Sequence, residues 1–453
     1  MISNNKLYTT LLPTWTKCRL AVSGEDAIKS SSKLKEIVPP LSAQDDIEYK
    51  AMVSRGVYFN ATGRTVEGLI GMAFRKAVAV TAPTALNPIL DDMMLSIDNK
   101  VTFNDLCERA LDQDIVVGRV GYLVEYPEVS TAGMSAAQLQ ASMIRPYVAE
   151  YYAENIIDWR YERIGSGSQL SMVRLIEVVE DWAEDGITRT EVEQERRLLL
   201  INGQYVQRIY RDDTQLGDDK IPTLGGKPLS FIPFYCDLES TKPPILDLAN
   251  VNLHHFATDV DHKNGAHYIG TPTPMFSGFQ FDEGAPFRLG AAGGYSTANP
   301  DATWGYLEFE GSGLSELREI KKELSDQMAI LGARFLEAEK SGVEATETVQ
   351  LRRVGETSVL AGIVNKRSRM MQDMLVFMAQ WAGVSGEITV KINTDFDEVG
   401  MSAQDKLAFF QMLQGGAISE QTFFYNMKKG EVYEPDTTFE DEQERIRAQA
   451  PAI

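Results

Sequence analysis

Residues 341–384 read SGVEATETVQLRRVGETSVLAGIVNKRSRMMQDMLVFMAQWAGV, and they join a polar loop directly to a long helix. The first part of the stretch is rich in Ser, Thr and Glu. The second part carries apolar residues every three or four positions, which is the spacing of one helical face. These positions are Leu360, Ile363, Val364, Met370, Met371, Met374, Leu375, Phe377, Met378 and Trp381. Gly383 suits the position just past the last turn. The stretch contains no catalytic signature.

Two further long helices are predicted before this loop. The nearer one has apolar residues on one face at Leu314, Leu317, Ile320, Leu324, Met328, Leu331 and Phe335. The other covers residues 243–267, where Pro243 or Pro244 suits the first turn. Between them, residues 270–313 contain Gly, Pro and aromatic residues without helical periodicity and end in strand-like residues 306–310. The predicted order is long helix, β-containing excursion, long helix, polar loop, long helix.

The first half of the chain changes from helical to β character. Residues 45–75 and 84–117 have helical spacing, and Thr102 is a candidate N-cap. Strand signals follow at residues 122–126, 147–152, 170–179, 196–201 and 205–210. Asn202-Gly203 joins the last two, and this dipeptide favours a type I′ hairpin. The predicted fold class is α+β.

The two ends of the chain give weaker signals. Residues 1–44 are polar, contain Pro39-Pro40, and are predicted to form a loosely held arm or short helices. Near the other end, residues 388–392 alternate as a short strand. Residues 402–413 and 419–427 are predicted helices with serine caps. The acidic tail, residues 431–453, is expected to be a short helix or disordered.

Composition limits the class of protein. The chain has 453 residues, 43% of them hydrophobic and 24% charged, which is typical of a globular protein with real cores. Cys18, Cys107 and Cys236 are far apart, so we predict neither a disulfide framework nor a zinc ribbon. The N-terminal residues lack a basic leader, and no window holds the roughly eighteen apolar residues of a membrane helix. We therefore expect neither secretion nor a membrane span.

The formal net charge of -21 argues against tight DNA binding, because tight binding uses a basic surface to replace phosphate counterions. It is compatible with a channel along which DNA slides, since an acidic wall repels phosphates and avoids deep electrostatic wells. Scattered cations could then touch the phosphates. Those beside the polar loop are Arg352, Arg353, Lys366, Arg367 and Arg369.

Short motifs in a fixed order extend over residues 45–430. Around the polar loop they are Glu344-Ala345-Thr346-Glu347-Thr348, residues 355–361 (GETSVLA) and Trp381-Ala382-Gly383. The earlier motifs are Tyr49, Arg55, Phe59, Asn60, Thr62, Thr65 and Val66; Gly71, Phe74, Arg75 and Lys76; residues 153–160 (AENIIDWR); residues 232–234 (IPF); residues 243–252 (PPILDLANVN); and Asp261, His267, Gly270, Pro272, Pro274 and Gly278. The later motifs are Asp395-Phe396 and residues 416–419 (GAIS). In these motifs the chain resembles portal proteins of tailed bacteriophages, and in particular a divergent portal-like family formerly catalogued as a domain of unknown function.

The resemblance implies a portal-like architecture. Its parts would be an N-terminal arm (1–44), an α+β wing (45–240), a stem helix (241–269), a small β-containing clip (270–312), a second stem helix (313–338), a tunnel loop (339–357), a long kinked helix (358–384), a return to the wing and crown base (385–430) and an acidic C-terminal tail (431–453).

The resemblance also implies a function. Portal subunits form a homo-oligomeric ring, typically a dodecamer, at one capsid vertex of the virion, through which double-stranded DNA is packaged and ejected. The implied partners are the terminase large subunit, an adaptor or head-completion protein, and the major capsid and scaffolding proteins. Assembly would take place in the bacterial cytoplasm, without a cofactor, a membrane or an enzymatic activity. By their position at the tunnel loop, Glu344, Glu347, Arg352, Arg353 and Lys366 are predicted to face the DNA channel. Salt bridges at a subunit interface are the alternative role for the cations.

A histidine cluster supports a different hypothesis. All four histidines, His254, His255, His262 and His267, lie within residues 254–267, together with Asp259 and Asp261. On a helix, His255, Asp259 and His262 share one face and could ligate zinc or iron, as in a cytoplasmic metal-dependent hydrolase. The spacing matches no HExxH motif, so hydrogen-bonded or solvated histidines are the favoured interpretation.

Other enzyme signals are missing from the sequence. It contains no GxxxxGK[ST] phosphate loop, no GxGxxG after a strand and no GxSxG elbow. Any DNA pumping would therefore need a separate motor.

An ordinary helical hairpin in a globular core remains the structural alternative for the long helices.

Overall fold

The computed structural model describes residues 3–93, 101–127, 144–182, 185, 187–271, 273–279, 297–307, 311–334, 358–396, 403–429, 432–433 and 437–449. The chain divides into two compact units, residues 1–394 and 395–453. Helices and antiparallel sheets both build the first unit, so the predicted α+β fold class is confirmed.

Three long helices occupy the second half of the first unit. They are α8 (Leu246–Gly270), α9 (Ser312–Ala333) and α10 (Val359–Trp381), and they confirm the three long helices predicted from apolar spacing. The shorter helices are α1 (Lys6–Ser23), α2 (Glu25–Ser30), α3 (Leu34–Ile37), α4 (Asp46–Arg55), α5 (Ala61–Ala73), α6 (Asn87–Leu90) and α7 (Phe103–Val116). Thr102 caps α7, as predicted, and the structure adds a reciprocal capping box with Asp105.

The strands of the first unit are short except in one sheet. They are β1 (Ala79–Thr81), β2 (Val120–Glu125), β3 (Tyr147–Tyr152), β4 (Ile156–Ile164), β5 (Gly167–Trp182), β6 (Arg189–Ile201), β7 (Gln204–Arg211), β8 (Thr214–Lys220), β9 (Thr223–Leu224), β10 (Lys227–Pro228), β11 (Phe234–Cys236), β12 (Thr273–Ser277), β13 (Thr303–Leu307) and β14 (Thr389–Lys391). Strands β4 to β8 form a five-stranded antiparallel meander. The other sheets have the orders β11-β2-β3, β1-β14, β9-β10 and β12-β13.

The hairpin between β6 and β7 has the predicted two-residue turn. Ile201 pairs with Gln204, which leaves only Asn202 and Gly203 in the connection. Their φ angles are 52° and 76°, and a type I′ turn needs positive φ at both positions. Asn and Gly tolerate this region at low steric cost, which explains why the dipeptide predicts the turn.

The N-terminal segment differs from its prediction. The sequence predicts a loosely held arm or short helices for residues 1–44, but α1 is an 18-residue helix with one buried face. Leu11, Trp15, Cys18 and Ala21 recur at helical spacing and are buried. The prediction of a loose arm is therefore wrong for α1, because four buried side chains stabilise this helix despite Pro13 in its interior.

Two antiparallel strand pairs fix the positions of short segments of the chain. β12 and β13 pair from Thr273 with Leu307 to Ser277 with Thr303, so the described part of residues 270–312 contains a hairpin between α8 and α9. The strand predicted near Tyr306 starts earlier, at Thr303. β14 pairs with β1, which brings the chain after α10 back to its first third and confirms the predicted strand at residues 388–392.

The second unit is helical where it is described. It contains α11 (Ala403–Gln414), α12 (Glu420–Lys429) and α13 (Phe439–Gln449). Ser419 Oγ accepts a hydrogen bond from the Thr422 amide at 3.1 Å, which confirms the serine cap predicted for α12. Ser402, the other predicted cap, lies outside the described residues. The ring of Phe424 packs against Tyr433 and Phe439, with centroids 4.8 and 5.6 Å away. The short helix predicted in the acidic tail is confirmed by α13.

Across the described ranges, none of the helices combines the length and the apolar character that crossing a membrane requires.

Candidate functional site

The antiparallel pair of α8 and α9 dominates the region that the sequence singled out. Asp259 of α8 pairs with Lys321 of α9, whereas Gly265, later on α8, approaches Leu314, earlier on α9. Residue numbers therefore rise on one helix as they fall on the other. The middle of α8 is buried, but its last turn is exposed where the β12-β13 hairpin begins.

Asp259 forms a polar junction between three parts of the chain. Its carboxylate accepts hydrogen bonds from the Lys321 ammonium and from the Val57 amide, the latter at 2.8 Å, and Lys263 Nζ lies 3.1 Å away. Burial by itself raises the pKa of this carboxyl, but the hydrogen bonds from Lys321, Val57 and Lys263 outweigh it and lower the pKa. Asp259 therefore stays ionised and ties α8 to α9 and to the loop after α4.

The loop after α4 lies unusually close to α8. A Cβ on Gly56 would come within 2.4 Å of Val260 Cγ2, so only glycine permits this approach without a shift. Arg55 Nη1 donates to Asn264 Oδ1 at 3.1 Å on the same side of α8. The pair of long helices is therefore fixed to the α4-α5 region by both packing and hydrogen bonds.

The histidines of α8 do not form a metal centre in this structure. Among the described residues, no group of three His, Cys, Asp or Glu side chains is placed to hold a metal ion. The alternative set of His255, Asp259 and His262 does lie on one helix, but Asp259 is engaged by two lysines. A metal ion would have to compete with Lys321 and Lys263 for its carboxylate, so the structure does not support the metal hypothesis.

His255 and His262 are instead held as neutral imidazoles. Their Nδ1 atoms are buried and have no hydrogen-bond partner within the described part of the chain. Burial lowers the pKa of His255, and the nearby Lys321 lowers it further, while Asp259 opposes this effect. The pKa of His262 is lowered by burial and then by Lys321, with smaller contributions from Arg318 and Lys263, against Asp259.

We expect the stability of the first unit to fall as the pH drops below about 6.5, the ordinary pKa of histidine. Because the folded-state pKa values of His255 and His262 are lowered, the unfolded chain binds protons first, and stability is lost as the pH falls toward the folded pKa values. The loss is at most about 1.4 kcal/mol per pH unit for each histidine. Urea denaturation between pH 7.5 and 5 measures it.

The matched variants for this experiment are His255→Gln with His262→Gln, and His267→Gln as the control at an exposed position of α8. The double variant should flatten the pH dependence, and His267→Gln should leave it unchanged. An equally steep loss in the double variant would assign the acid sensitivity to other groups.

Asn252 is a second buried junction on α8. Its Oδ1 accepts hydrogen bonds from the amide and hydroxyl of Thr62 at 2.9 and 2.8 Å, and its Nδ2 donates to the Phe59 carbonyl at 2.8 Å. Tyr58 Oη also lies 3.0 Å from Oδ1 and donates to the Ala21 carbonyl at 2.6 Å. Asn252 is fully buried and connects α8, α5 and α1.

We expect Asn252→Ala to lower the free energy of unfolding by about 2–3 kcal/mol, because it leaves the buried amide and hydroxyl donors of Thr62 without their acceptor. Asn250→Ala is the matched control on the same helix, since Asn250 is exposed and its Oδ1 only accepts from Lys17 at 3.1 Å. Thermal denaturation of both variants measures the difference. Equal effects would show that the buried amide network adds no stability.

Helix α10 is anchored by a buried ion pair. The Arg367 guanidinium donates two hydrogen bonds to the two carboxylate oxygens of Asp114 on α7, and the Arg367 side chain is only 1% exposed. The guanidinium also lies 5.8 Å from the ring centroid of Tyr122. The prediction that Arg367 is one of the scattered cations that touch DNA is therefore wrong, because its charge is buried and paired within the chain.

Lys366, the neighbouring residue, is the predicted channel residue that the structure describes. Its side chain is 57% exposed, and its ammonium pairs with the Asp237 carboxylate. Arg369 is exposed and donates to the Asn365 carbonyl of its own helix at 3.3 Å. Glu344, Glu347, Arg352 and Arg353 lie outside the described residues, as does the whole of residues 339–357. The structure thus brings Lys366 together with Asp237, a partner that sequence spacing did not predict.

Sequence reasoning missed the acidic partners of the long helices. Asp114 lies 253 positions from Arg367, and Asp259 lies 62 positions from Lys321. The apolar spacing of α7 places Asp114 at the buried C-terminal end of this helix. A buried carboxylate requires a cationic partner, so this position could have indicated that a cation from elsewhere in the chain pairs with Asp114. Nothing in the sequence singles out Arg367 as that cation.

Comparisons with known proteins add a family match to this geometry. A family model described as "Domain of unknown function (DUF4055)" matches residues 244–382, a range that contains all three long helices. No curated protein matches the chain.

Two solved structures are similar to the chain at low identity. A chain in "Virion of native gene transfer agent (GTA) particle" has 13% sequence identity and a TM-score of 0.39, over 90% of this chain and 97% of that chain. A chain in "Neck of empty GTA particle computed with C6 symmetry" has 13% identity and a TM-score of 0.40, over 87% of this chain and 97% of that chain.

Proposed function

We propose that this protein is a structural subunit of a portal ring in a phage-like virion. Twelve copies close into a ring at one capsid vertex, and double-stranded DNA passes through its centre during packaging and ejection. The subunit has no enzymatic role and needs no cofactor. A terminase large subunit supplies the motor, and an adaptor protein replaces it when the head is full. Major capsid and scaffolding proteins surround the ring.

The order of elements from α8 to α10 is the observation that supports this proposal most. Two long antiparallel helices, joined through a β-hairpin at one end, are followed by residues 339–357 and then by a third long helix. This is the stem, clip, stem, tunnel loop and long-helix order that the motif resemblance implies. At 1.5 Å per residue, the 25 residues of α8 span about 37 Å, which is long enough for the wall of a channel.

The proposed mechanism is mechanical. The junctions at Asp259 and Asn252 fix the long helices to the α4-α5 region, so a force on one end of α8 is passed to the body of the subunit. The β12-β13 hairpin then serves as the docking site for the motor or the adaptor. Its exposed Trp304 and Tyr306 rings pack edge to face, with centroids 5.9 Å apart, and offer an apolar contact there.

Electrostatics favour sliding over tight binding in this proposal. The net charge of -21 repels phosphates, and Lys366 is already paired with Asp237. Such a paired lysine makes a weak and reversible phosphate contact, because the carboxylate competes for its charge. Arg352 and Arg353, with Glu344 and Glu347, would line the loop nearest to the DNA and touch it without reading bases.

Native mass and electron microscopy of the purified protein test the ring directly. Twelve chains of 50.4 kDa correspond to about 605 kDa, and the particles should be rings with a central hole. A stable monomer or dimer at micromolar concentration, with no ring in the presence of scaffolding protein, would contradict the proposal.

A further inference from the structure

A large polar cavity lies in the first unit, away from the α8-α9 pair. Its volume is about 960 Å³, and it is bounded by the β2-β3 sheet, by residues 218–226 and by the C-terminal end of α10. Residues 218–220, Gly225 and Gly226 are exposed, so the cavity opens to solvent on that side. This volume lies within the range of about 300–1,000 Å³ that small-molecule sites occupy.

The floor of this cavity is a buried ionic network with unequal charges. Arg196 donates to Glu125 at 2.7 Å and to Glu177 at 2.6 Å, so two carboxylates share one guanidinium. Gln207 accepts from Arg196 at 3.1 Å and is itself buried. One negative charge on the floor is therefore left without a cationic partner in the described network.

The Glu177 carboxylate of the floor is stabilised in its ionised form. Tyr147 donates to Glu125 at 3.2 Å, and Tyr151 donates to Glu177. Burial raises the pKa of Glu177, but the Arg196 charge and the hydrogen bonds from Tyr151 and Gln194 outweigh it, so the pKa is lowered. Glu177 therefore stays ionised at neutral pH.

The remaining charged groups of the cavity do not cancel this charge. At the mouth, Asp219 is paired with Arg208 through two hydrogen bonds of 2.8 and 2.7 Å. Asp218 and Lys220 also line the mouth, and their formal charges are opposite. The net charge of the lining and the network behind it is therefore negative, and the excess is centred on Glu125 and Glu177.

Two aromatic rings complete the wall. Tyr126 and Trp381 stack with centroids 5.8 Å apart and an interplanar angle of 30°. The indole N–H of Trp381 donates to the Thr223 carbonyl at 3.0 Å, which fixes the ring at the cavity. A cavity that combines an excess carboxylate with aromatic rings has the chemistry that attracts an organic cation.

We propose that this cavity binds a small organic cation with an ammonium or guanidinium head and a short aliphatic chain. The head lies at Glu125, where it completes the charge balance of the Arg196 network. The chain lies along Tyr126 and Trp381. Binding of this cation does not depend on the portal ring proposed above, because every side chain involved belongs to one chain.

Isothermal titration calorimetry with 1,4-diaminobutane tests this site, and 1,4-butanediol is the neutral probe of equal length. We expect the diamine to bind one equivalent per chain and the diol not to bind. Affinity should fall as the salt concentration rises, since the contact is ionic. Absence of diamine binding, or equal binding of the diol, would overturn the proposal.

Glu125→Gln removes the excess charge and should weaken diamine binding at least tenfold. Glu180→Gln is the matched control, because Glu180 lies on β5 outside the cavity lining and is paired with Arg189 at 2.8 Å. Trp381→Leu provides a second variant, which removes an aromatic ring without changing the charge, and it should also weaken binding. Unchanged affinity in Glu125→Gln, or in Trp381→Leu if the first variant does not fold, would assign the binding to another surface.

Discussion

Arg367→Met is expected to lower the free energy of unfolding of the first unit by about 3–5 kcal/mol, the usual cost of removing one partner from a buried ion pair. Methionine keeps much of the length of the arginine stem but leaves the buried Asp114 side chain at the end of α7 without its cationic partner. The two hydrogen bonds from the guanidinium are lost together, and so is the contact with the Tyr122 ring.

Urea denaturation followed by circular dichroism measures this loss. Arg369→Met is the matched control, because Arg369 is exposed two positions along the same helix and should cost less than about 0.5 kcal/mol. Arg367→Met combined with Asp114→Leu removes both charges and should recover part of the stability. If the single variant is as stable as the wild type, Asp114 and Arg367 do not anchor α10.

Ile320→Glu together with Ile330→Glu is expected to abolish the proposed ring while leaving the monomer folded. Both isoleucines lie on α9, and their side chains are 40% and 57% exposed in the single chain. Met328 of the same helix is buried, so α9 is covered in part by its own chain. The two exposed isoleucines are apolar surface that a neighbouring copy would cover, since a closed ring repeats one heterologous contact.

Native mass spectrometry should then report about 50 kDa for the double variant in place of about 605 kDa, because a buried carboxylate at each contact costs several kcal/mol. Ile187→Glu is the control, as Ile187 is 83% exposed between β5 and β6. That variant should assemble normally. A double variant that still forms rings would place the subunit contact away from this face of α9.

The elements predicted best are those whose local pattern and packing agree. The long helices α8, α9 and α10 are visible in the sequence because their apolar residues recur every three or four positions. The Asn202-Gly203 turn is visible because few other dipeptides adopt positive φ twice. The Thr102 cap of α7 is visible because a hydroxyl at that position satisfies a free amide.

The elements predicted worst depend on distant partners. β4 and β8 carry many charged and polar residues, and they become strands because the meander supplies hydrogen bonds along their length. For the segment that forms α1 the sequence predicts only a loosely held arm or short helices, because part of the chain that covers its buried face comes much later in the sequence. Arg119, the residue before β2, places its guanidinium 5.1 Å from the ring centroid of Trp15.

The sequence by itself determined the order of the long helices, the change from helical to β character and the histidine cluster on α8, because these are periodic or local properties of neighbouring residues. Only the tertiary structure decided which charged side chains form ion pairs within the chain. Arg367 is buried against Asp114, Lys366 is paired with Asp237, and Asp259 is held by Lys321 and Lys263. A side chain's charge is a local property, but its partner and its exposure depend on segments that folding brings together from far along the chain.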